Sequence, residues 1–391
     1  MLARGLLSLA DVTATRYFQF APASLRDPIL TAHGDRLRAE CFSACNGVYA
    51  RLDLLPDAFD TGELAHGTTN VDINLATRSA LTKVGRDQLL HLDVGTAGLT
   101  VSTPEATAVE RPVAMPSRWV RALGNVAELH RDLPLAVILK GPAAKAFVAA
   151  LPGATSSGKD GWVTPQGRVS PRLVAGSVRI SGLNRLNALK RLLPHVSGLS
   201  IHGTDDAGPV IVTADLPGSR LTLGLTEEAW RGHSGEGSLL TGLSGSDVLD
   251  DGDLIAALLA FEPIIDVPRL AREGNLEEAR VRGGLAVLAA SGRVGWDAHD
   301  QAWFHRELPH DPDRVDRDNP RLVKARAMAD AGLVAPTPDG GWRVTSGETV
   351  YTVRRSSSGP TCTCAWYLRH GTGRGPCAHA LAVDLSAGDP R

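Results

Sequence analysis

A chain of 391 residues with 41 Lys+Arg against 43 Asp+Glu carries a formal net charge of −2, which excludes a uniformly basic nucleic-acid binder. Its 43% apolar and 21% charged residues describe a folded chain, not a disordered or collagen-like one. No run reaches the ~18 apolar residues that a membrane span needs, and the length allows two to four domains.

The N-terminal stretch Met1–Ala10 is mildly apolar with Arg4 inside it. It reads as an amphipathic first turn or a start-codon artefact, and not as a signal peptide. Five cysteines, an odd number, are too few for a disulfide scaffold and suit a reducing compartment, so a cytoplasmic protein is expected. Leu37, Cys41, Cys45 and Val48 fall close to one helical face. With no Cys or His in the next twenty residues, Cys41 and Cys45 read as buried free thiols in preference to a ligand pair.

Region 1–241 reads as α+β. The polar run Gly62–Asp72, with His66, Thr68, Thr69, Asn70 and Asp72, is expected to be a turn capped by its own side chains. Val71–Asn74 alternates like a strand and Ala76–Val84 has helical spacing. Leu89–Val94 and Leu99–Ser102 form two strands about the turn Gly95–Gly98. The order returns with strand Val178–Ser181, helix Leu183–Leu193, and strands Leu199–His202, Val210–Asp215 and Leu221–Leu225. Strand–helix–strand–strand units at 71–103 and 178–225 therefore suggest a duplication, with chance similarity left open. Gly232–Gly237 matches neither a nucleophile elbow nor a dinucleotide loop; it is a Gly-rich loop whose ligand-binding role stays open.

A polar stretch at Gly242–Gly252 marks a change of texture. Asp253 is placed to cap a helix Leu254–Phe261. Pro268 opens a second helix ending at Gly274, and Leu276–Ala290 is a third. Strands Arg293–Trp296 and Trp303–Arg306 complete a winged-helix-like unit over 253–308. A charged linker precedes a shorter helix–hairpin unit over 320–345, with helix Leu322–Ala331 and strands Leu333–Ala335 and Trp342–Thr345.

The chemistry-bearing motif is at the end. Cys362-x-Cys364 is followed, after twelve residues, by Cys377-x-His379. Three thiolates and an imidazole make the Cys₃His set that fills a tetrahedral Zn²⁺ site and leaves no position for substrate, so the expected role is structural. Strand Thr349–Arg355 and helix Ala378–Leu385 flank it as scaffold. Residues 342–386 resemble a SWIM-type zinc finger, whose pattern is CxC, a spacer, then CxH in a ββα arrangement. The architecture is similar to the bacterial SWIM zinc finger family proteins. That resemblance implies a DNA-binding or protein-interaction role, as an adaptor associated with chromatin, transposition, recombination or an ATPase-containing complex.

Residues 342–379 carry Arg343, Arg354, Arg355, Arg369 and Arg374 against Glu348, with Trp342, Tyr351, Trp366, Tyr367 and His370 interleaved. Arg343, Arg354, Arg355, Trp366, Tyr367, Arg369 and Arg374 are the candidate nucleic-acid or partner contacts. Residues 251–391 as a whole are not basic, however. With no Ser/His/Asp, paired-carboxylate or P-loop constellation, the chain reads as a non-catalytic zinc-binding adaptor for a protein partner. DNA binding is the alternative, and a ligand-binding or enzymatic N-terminal domain is the second. No membrane or small-molecule partner is expected.

Overall fold

The computed structural model describes residues 1–18, 28–59, 66–71, 73–85, 88–95, 98–156, 158–245, 247–309, 311–356 and 359–387. The expected turn residues Gly62–Ala65 and Asp72, and Thr96 and Ala97 of the turn Gly95–Gly98, lie outside them. The fold is α+β, with antiparallel sheets. The chain divides into two units. The first holds residues 1–119, 130–233 and 297–301; the second holds 120–129, 234–296 and 302–391.

In the first unit, helix α1 (Leu2–Ala14) precedes strands β1 (Ile29–His33), β2 (Leu37–Phe42), β3 (Val48–Leu54) and β4 (His66–Asn70). Helix α2 (Leu75–Lys83) leads to a separate meander, β5 (His91–Gly95), β6 (Gly98–Thr103) and β7 (Ala106–Glu110). Helix α3 (Ser117–His130) is shared between the units. Then come β8 (Leu135–Lys140), α4 (Gly141–Ala150) and a small sheet of β9 (Gly161–Val163), β10 (Val169–Ser170) and β11 (Val178–Ile180). A 3₁₀ segment, Leu183–His195, and the meander β12 (Gly198–His202), β13 (Val210–Leu216) and β14 (Ser219–Leu225) follow.

Eight of these strands form one sheet, in the order β4-β1-β2-β3-β14-β13-β12-β8. The two meanders meet at the β3–β14 pair, and each has a fourth strand on its outer edge. The expected units 71–103 and 178–225 do not correspond to these halves, because β5–β7 form a sheet of their own. The strand read at Val71–Asn74 lies earlier, at β4. Asn74 instead caps α2, its side chain accepting from the backbone N–H groups of Ala76 and Thr77. The helical face read through Cys41 and Cys45 is strand β2 followed by a turn, and the turn read over His66–Asn70 is β4.

Alternation across the sheet separates two chemistries. One cross-sheet row reads Leu30, Ala39, Leu52, Leu221, Ala214, Leu199 and Leu139. Its neighbour, on the opposite face, reads Thr31, Arg38, Asp53, Arg220 and Asp215. Such strands are expected to leave the polar face in water, yet Arg38, Arg51, Asp53 and Thr213 are buried. Arg38 and Arg51 each donate through Nε to one oxygen of Asp53, at 3.1 and 2.9 Å. Their Nη2 groups reach Asp297 at 3.2 and 2.7 Å, and Asp300 pairs with Arg36 and Arg220. The segment Asp297–Gln301 thus supplies the missing anions. Burial alone would raise the Asp297 carboxyl, but Arg51, Arg38 and Arg220 hold it well below the usual carboxylate range.

The second unit contains α5 (Leu239–Gly242), α6 (Val248–Leu258), α7 (Val267–Gly274), α8 (Glu278–Ala290), and the hairpin β15 (Val294–Asp297) and β16 (Ala302–His305), Asp297 itself belonging to the first unit. Helix α6 begins at Val248, six residues before the expected start at Leu254, so Asp253 lies inside it and is not its cap. Asp251 on its buried side pairs with Arg280 of α8 at 2.7 Å. The Gly283–Gly284 pair, unfavourable inside a helix, is explained by packing: a Cβ on Gly284 would sit 2.9 Å from the Asp251 carbonyl oxygen. Helices α9 (Arg314–Asp318) and α10 (Pro320–Asp330) precede β17 (Val334–Pro336), β18 (Trp342–Ser346), β19 (Thr349–Arg354) and β20 (Thr361–Cys362). Helices α11 (Ala365–His370) and α12 (Ala378–Ala387) end the fold. The hairpin β17–β18 does not close a unit of its own, because pairing continues through β19 to β20.

Two predictions test these buried charges. Asp297→Asn leaves Arg38 and Arg51 under-neutralised and should cost about 3–5 kcal/mol in urea unfolding; a loss below about 1 kcal/mol contradicts the network's role. In the second unit, burial first, then Arg293 and Arg306, lower His305 to about 4 against a bond to the Ala260 carbonyl. Its folded value lies below the unfolded ~6.5, so the unfolded chain binds the extra proton and stability falls as pH drops from ~6.5 to ~4. His305→Gln should flatten that limb by on the order of 3 kcal/mol in pH-dependent unfolding.

Candidate metal centre

Strand β20 places Cys362 at its last position, and the C-x-C spacing turns Cys364 to the same side. Cys364 then caps α11, its Sγ accepting the Tyr367 backbone N–H at 3.4 Å. Cys377 stands at the head of α12, its Sγ accepting the Ala380 N–H at 3.4 Å while its carbonyl accepts from Leu381. Two thiolates therefore sit at helix N-termini, where backbone N–H groups and the helix dipole favour negative sulfur. His379, the second residue of α12, stacks on Tyr351 of β19 with centroids 4.1 Å apart and holds Nδ1 3.8 Å from Cys362 Sγ.

All four side chains are buried, and one ligand atom from each lies within 4.8 Å of the others. A tetrahedral Zn²⁺ with ~2.3 Å bonds to sulfur sets ligand–ligand distances of about 3.7 Å. The group is thus within about 1 Å of a closed site. Without a cation, the Cys362–Cys377 hydrogen bond sends the two thiols in opposite directions. Cys377 falls below the ordinary thiol range, and Cys362 rises above it, helped by burial. Such a set binds a soft or borderline divalent ion and offers substrate no open position. Around it the core continues through Val344, Val353, Leu381 and Val383, and α12 packs on α10 beside Leu322, Ala325 and Met328. The expected ββα finger is accordingly embedded in a larger apolar body that includes α10.

The spacer between the cysteine pairs contains a helix, α11, that the sequence did not signal. The remaining candidate contacts are dispersed in role. Arg343 and Arg369 are exposed. Arg354 pairs with Asp339 and Arg355 with Asp384, both at 2.6 Å, and Arg355 also lies over Trp342. Arg374 donates to the Gly235 carbonyl at 3.2 Å. Trp366 lies beneath the Arg321 guanidinium, 4.2 Å from its ring centroid, and also meets His370. Tyr367 is half-buried beside Cys364. Arg321, Asp339 and Asp384 are participants that reading the motif missed, because none belongs to its spacing.

Elsewhere, Cys41 is buried in β2, and its Sγ donates to the Leu9 carbonyl at 3.6 Å. Burial pushes that thiol well above its ordinary value. Cys45 lies against Ser43 Oγ, and neither cysteine belongs to a metal-competent group among the described residues. In the Gly-rich loop, His233 is buried, with Nδ1 2.9 Å from the Asn46 carbonyl and its ring against His130. Burial first, then His130, keeps it well below the ordinary imidazole range. No helix among the described residues is long and apolar enough to cross a membrane.

No family model matches the chain, and no curated protein matches it. Among solved structures it is similar to a chain of the PCNA2–PCNA3 complex from Sulfolobus tokodaii, at 11% identity and a TM-score of 0.41, over 57% of this chain and 96% of that one. Proliferating Cellular Nuclear Antigen from Entamoeba histolytica gives 14% identity and 0.38, over 57% and 94%. A. fulgidus PCNA bound to the C-terminal region of FEN-1 gives 15% and 0.38, over 57% and 95%. Likenesses at this level decide neither the fold nor the function.

Cys377→Ser should lower metal affinity by at least the ~10–100-fold that outer-shell changes cost, read as metal stoichiometry after dialysis against a chelator. Unchanged stoichiometry would show that Cys377 is not a ligand.

Proposed function

We propose that this chain is a non-catalytic, zinc-bearing adaptor whose SWIM-like C-terminal finger docks a protein partner. The observation that carries the reading is the closed Cys362, Cys364, Cys377 and His379 set. Zn²⁺ suits a Cys₃His donor set with backbone N–H groups on its sulfurs, and in such a site it holds structure together. Those four residues would hold the ion. Its chemistry there is to neutralise the thiolates and fix β20, α11 and α12 about one point.

A protein partner is favoured over DNA by the state of the basic side chains. Arg354 and Arg355 are each paired with a carboxylate, and Arg374 is bonded to a backbone carbonyl. The same module exposes Leu368 at 76% and Val350 at 54%. Apolar side chains on a surface where three of five arginines are engaged internally, Arg343 and Arg369 being exposed, suit a protein interface better than a phosphate backbone. An ATPase-containing assembly, the partner class that the SWIM resemblance implies, falls within this reading. The non-catalytic part rests on two features: the metal donor set is closed, and the buried Arg38, Arg51 and Asp53 of the eight-stranded sheet are engaged with one another and with Asp297.

Titration of the zinc-loaded protein against random-sequence single- and double-stranded DNA should show no binding at low salt. Partner capture by crosslinking should be lost on Leu368→Asp with metal content unchanged. Steeply salt-dependent DNA binding that disappears on Arg343→Ala and Arg369→Ala substitution would make this a nucleic-acid protein instead.

A further inference from the structure

Arg321 occupies the second position of α10, directly after Pro320. A cation there opposes the positive end of the helix, so its placement needs a local reason. It is half-buried, with Glu236 as its nearest acidic influence, and it hydrogen-bonds no carboxylate among the described residues. Instead Nη1 donates to the Arg374 carbonyl at 3.0 Å and to the Pro376 carbonyl at 2.8 Å. Pro376 is the residue immediately before Cys377. The guanidinium plane also lies over Trp366, two residues after Cys364. One side chain therefore grips both segments that deliver ligands, the spacer's end and the start of α11.

The Gly-rich loop completes this arrangement. A Cβ on Gly237 would fall 2.2 Å from Arg321 Nη2 and 2.6 Å from the Arg374 carbonyl oxygen. A Cβ on Gly375, whose φ of +74° is itself a glycine conformation, would fall 2.2 Å from the Gly237 carbonyl oxygen. Glycine at both positions lets the two backbones meet with the guanidinium between them. Charge agrees with the geometry: three thiolates, a neutral imidazole and a divalent ion sum to −1, and a guanidinium is the complementary counter-charge.

We infer that Arg321 is the positioning residue of the metal centre, clamping the backbone ahead of Cys377 and the ring of Trp366, and that Gly237 exists to admit it. This rests on the reading of Cys362, Cys364, Cys377 and His379 as a metal site. Groups that orient ligands from outside the coordination sphere are typically worth 10–100-fold in metal affinity.

The test uses the full chain, with Zn²⁺ affinity read by competition against a chromophoric chelator and apo stability read by thermal unfolding. Arg321→Met should weaken Zn²⁺ binding about tenfold or more. It should also narrow the gap in melting temperature between loaded and apo protein, and Arg321→Lys, which keeps the charge without the planar fork, should recover part of the loss. A purely structural arginine would lower both melting temperatures equally and leave affinity unchanged, which overturns the inference. Gly237→Ala, which displaces both the guanidinium and the Arg374 carbonyl that it bonds, should weaken affinity in the same direction. If Arg321→Met does not fold, Gly237→Ala decides alone, and wild-type affinity in that variant refutes the clamp. A wild-type chain that binds no Zn²⁺ refutes the metal site itself, a result separable from a metal-binding wild type whose variants are unaffected.

Discussion

Three sulfur atoms and an imidazole held within 4.8 Å of one another present a charge problem that organises the C-terminal body. Fully deprotonated, the thiolates repel at short range inside an apolar core; fully protonated, they have too few acceptors. A divalent cation resolves both difficulties. The surrounding backbone is already arranged for the anionic form, with Cys364 and Cys377 each at a helix start and each accepting an N–H. Arg321 adds the counter-charge from a third helix. Were an ion held there, its binding and local folding would be one equilibrium, while the packing of α12 on α10 supplies a part that does not depend on it.

The first unit meets a related difficulty with different chemistry. Its sheet has an aliphatic face, covered in the ordinary way, and a charged face that is also buried. Asp53 takes one N–H from each of two arginines, and Asp297 accepts from the same two. Each guanidinium is thus held between two carboxylates, which is what makes so dense a set of buried charges tolerable. Removing any one member leaves its partners unneutralised in a low-dielectric setting, so the network behaves as a unit and not as a sum of pairs.

What the sequence revealed followed from how local each signal is. The buried Cys/His cluster that could hold a metal ion was legible because coordination demands fixed residue types at short spacing. The helices over 267–290 were legible from Pro268, Gly274 and apolar periodicity. Cys41 and Cys45 were misread as helical because Leu37, Cys41, Cys45 and Val48 happen to satisfy a helical spacing, whereas β2 is fixed by pairing with β1 and β3. The start of α6 was misplaced because Asp253 has the chemistry of a cap, but tertiary pairing of Asp251 with Arg280 extends the helix past it. The proposed duplication failed for a further reason: sheet membership is a long-range property, and β5–β7 look locally like strands of the large sheet. Asp297 and Arg321 were invisible because each acts on partners far away in sequence.

The same distinction governs the reading of the surface of residues 342–379. Counted along the chain, its arginines make a basic module. Counted in space, Arg354 belongs to Asp339, Arg355 to Asp384 and Trp342, and Arg374 to a backbone carbonyl. Asp339 lies just outside the stretch in which the charge was summed, and so does Asp384. A window chosen around a motif excludes the acids that the fold brings back to it, and the apparent excess of positive charge is partly the edge of that window. What then distinguishes the surface is its apolar side chains. Leu368 stands on α11, a helix capped by Cys364 of the candidate metal group. A partner that grips this side chain would read the state of the metal through the placement of a two-turn helix, so the metal would serve recognition by fixing shape without itself being touched.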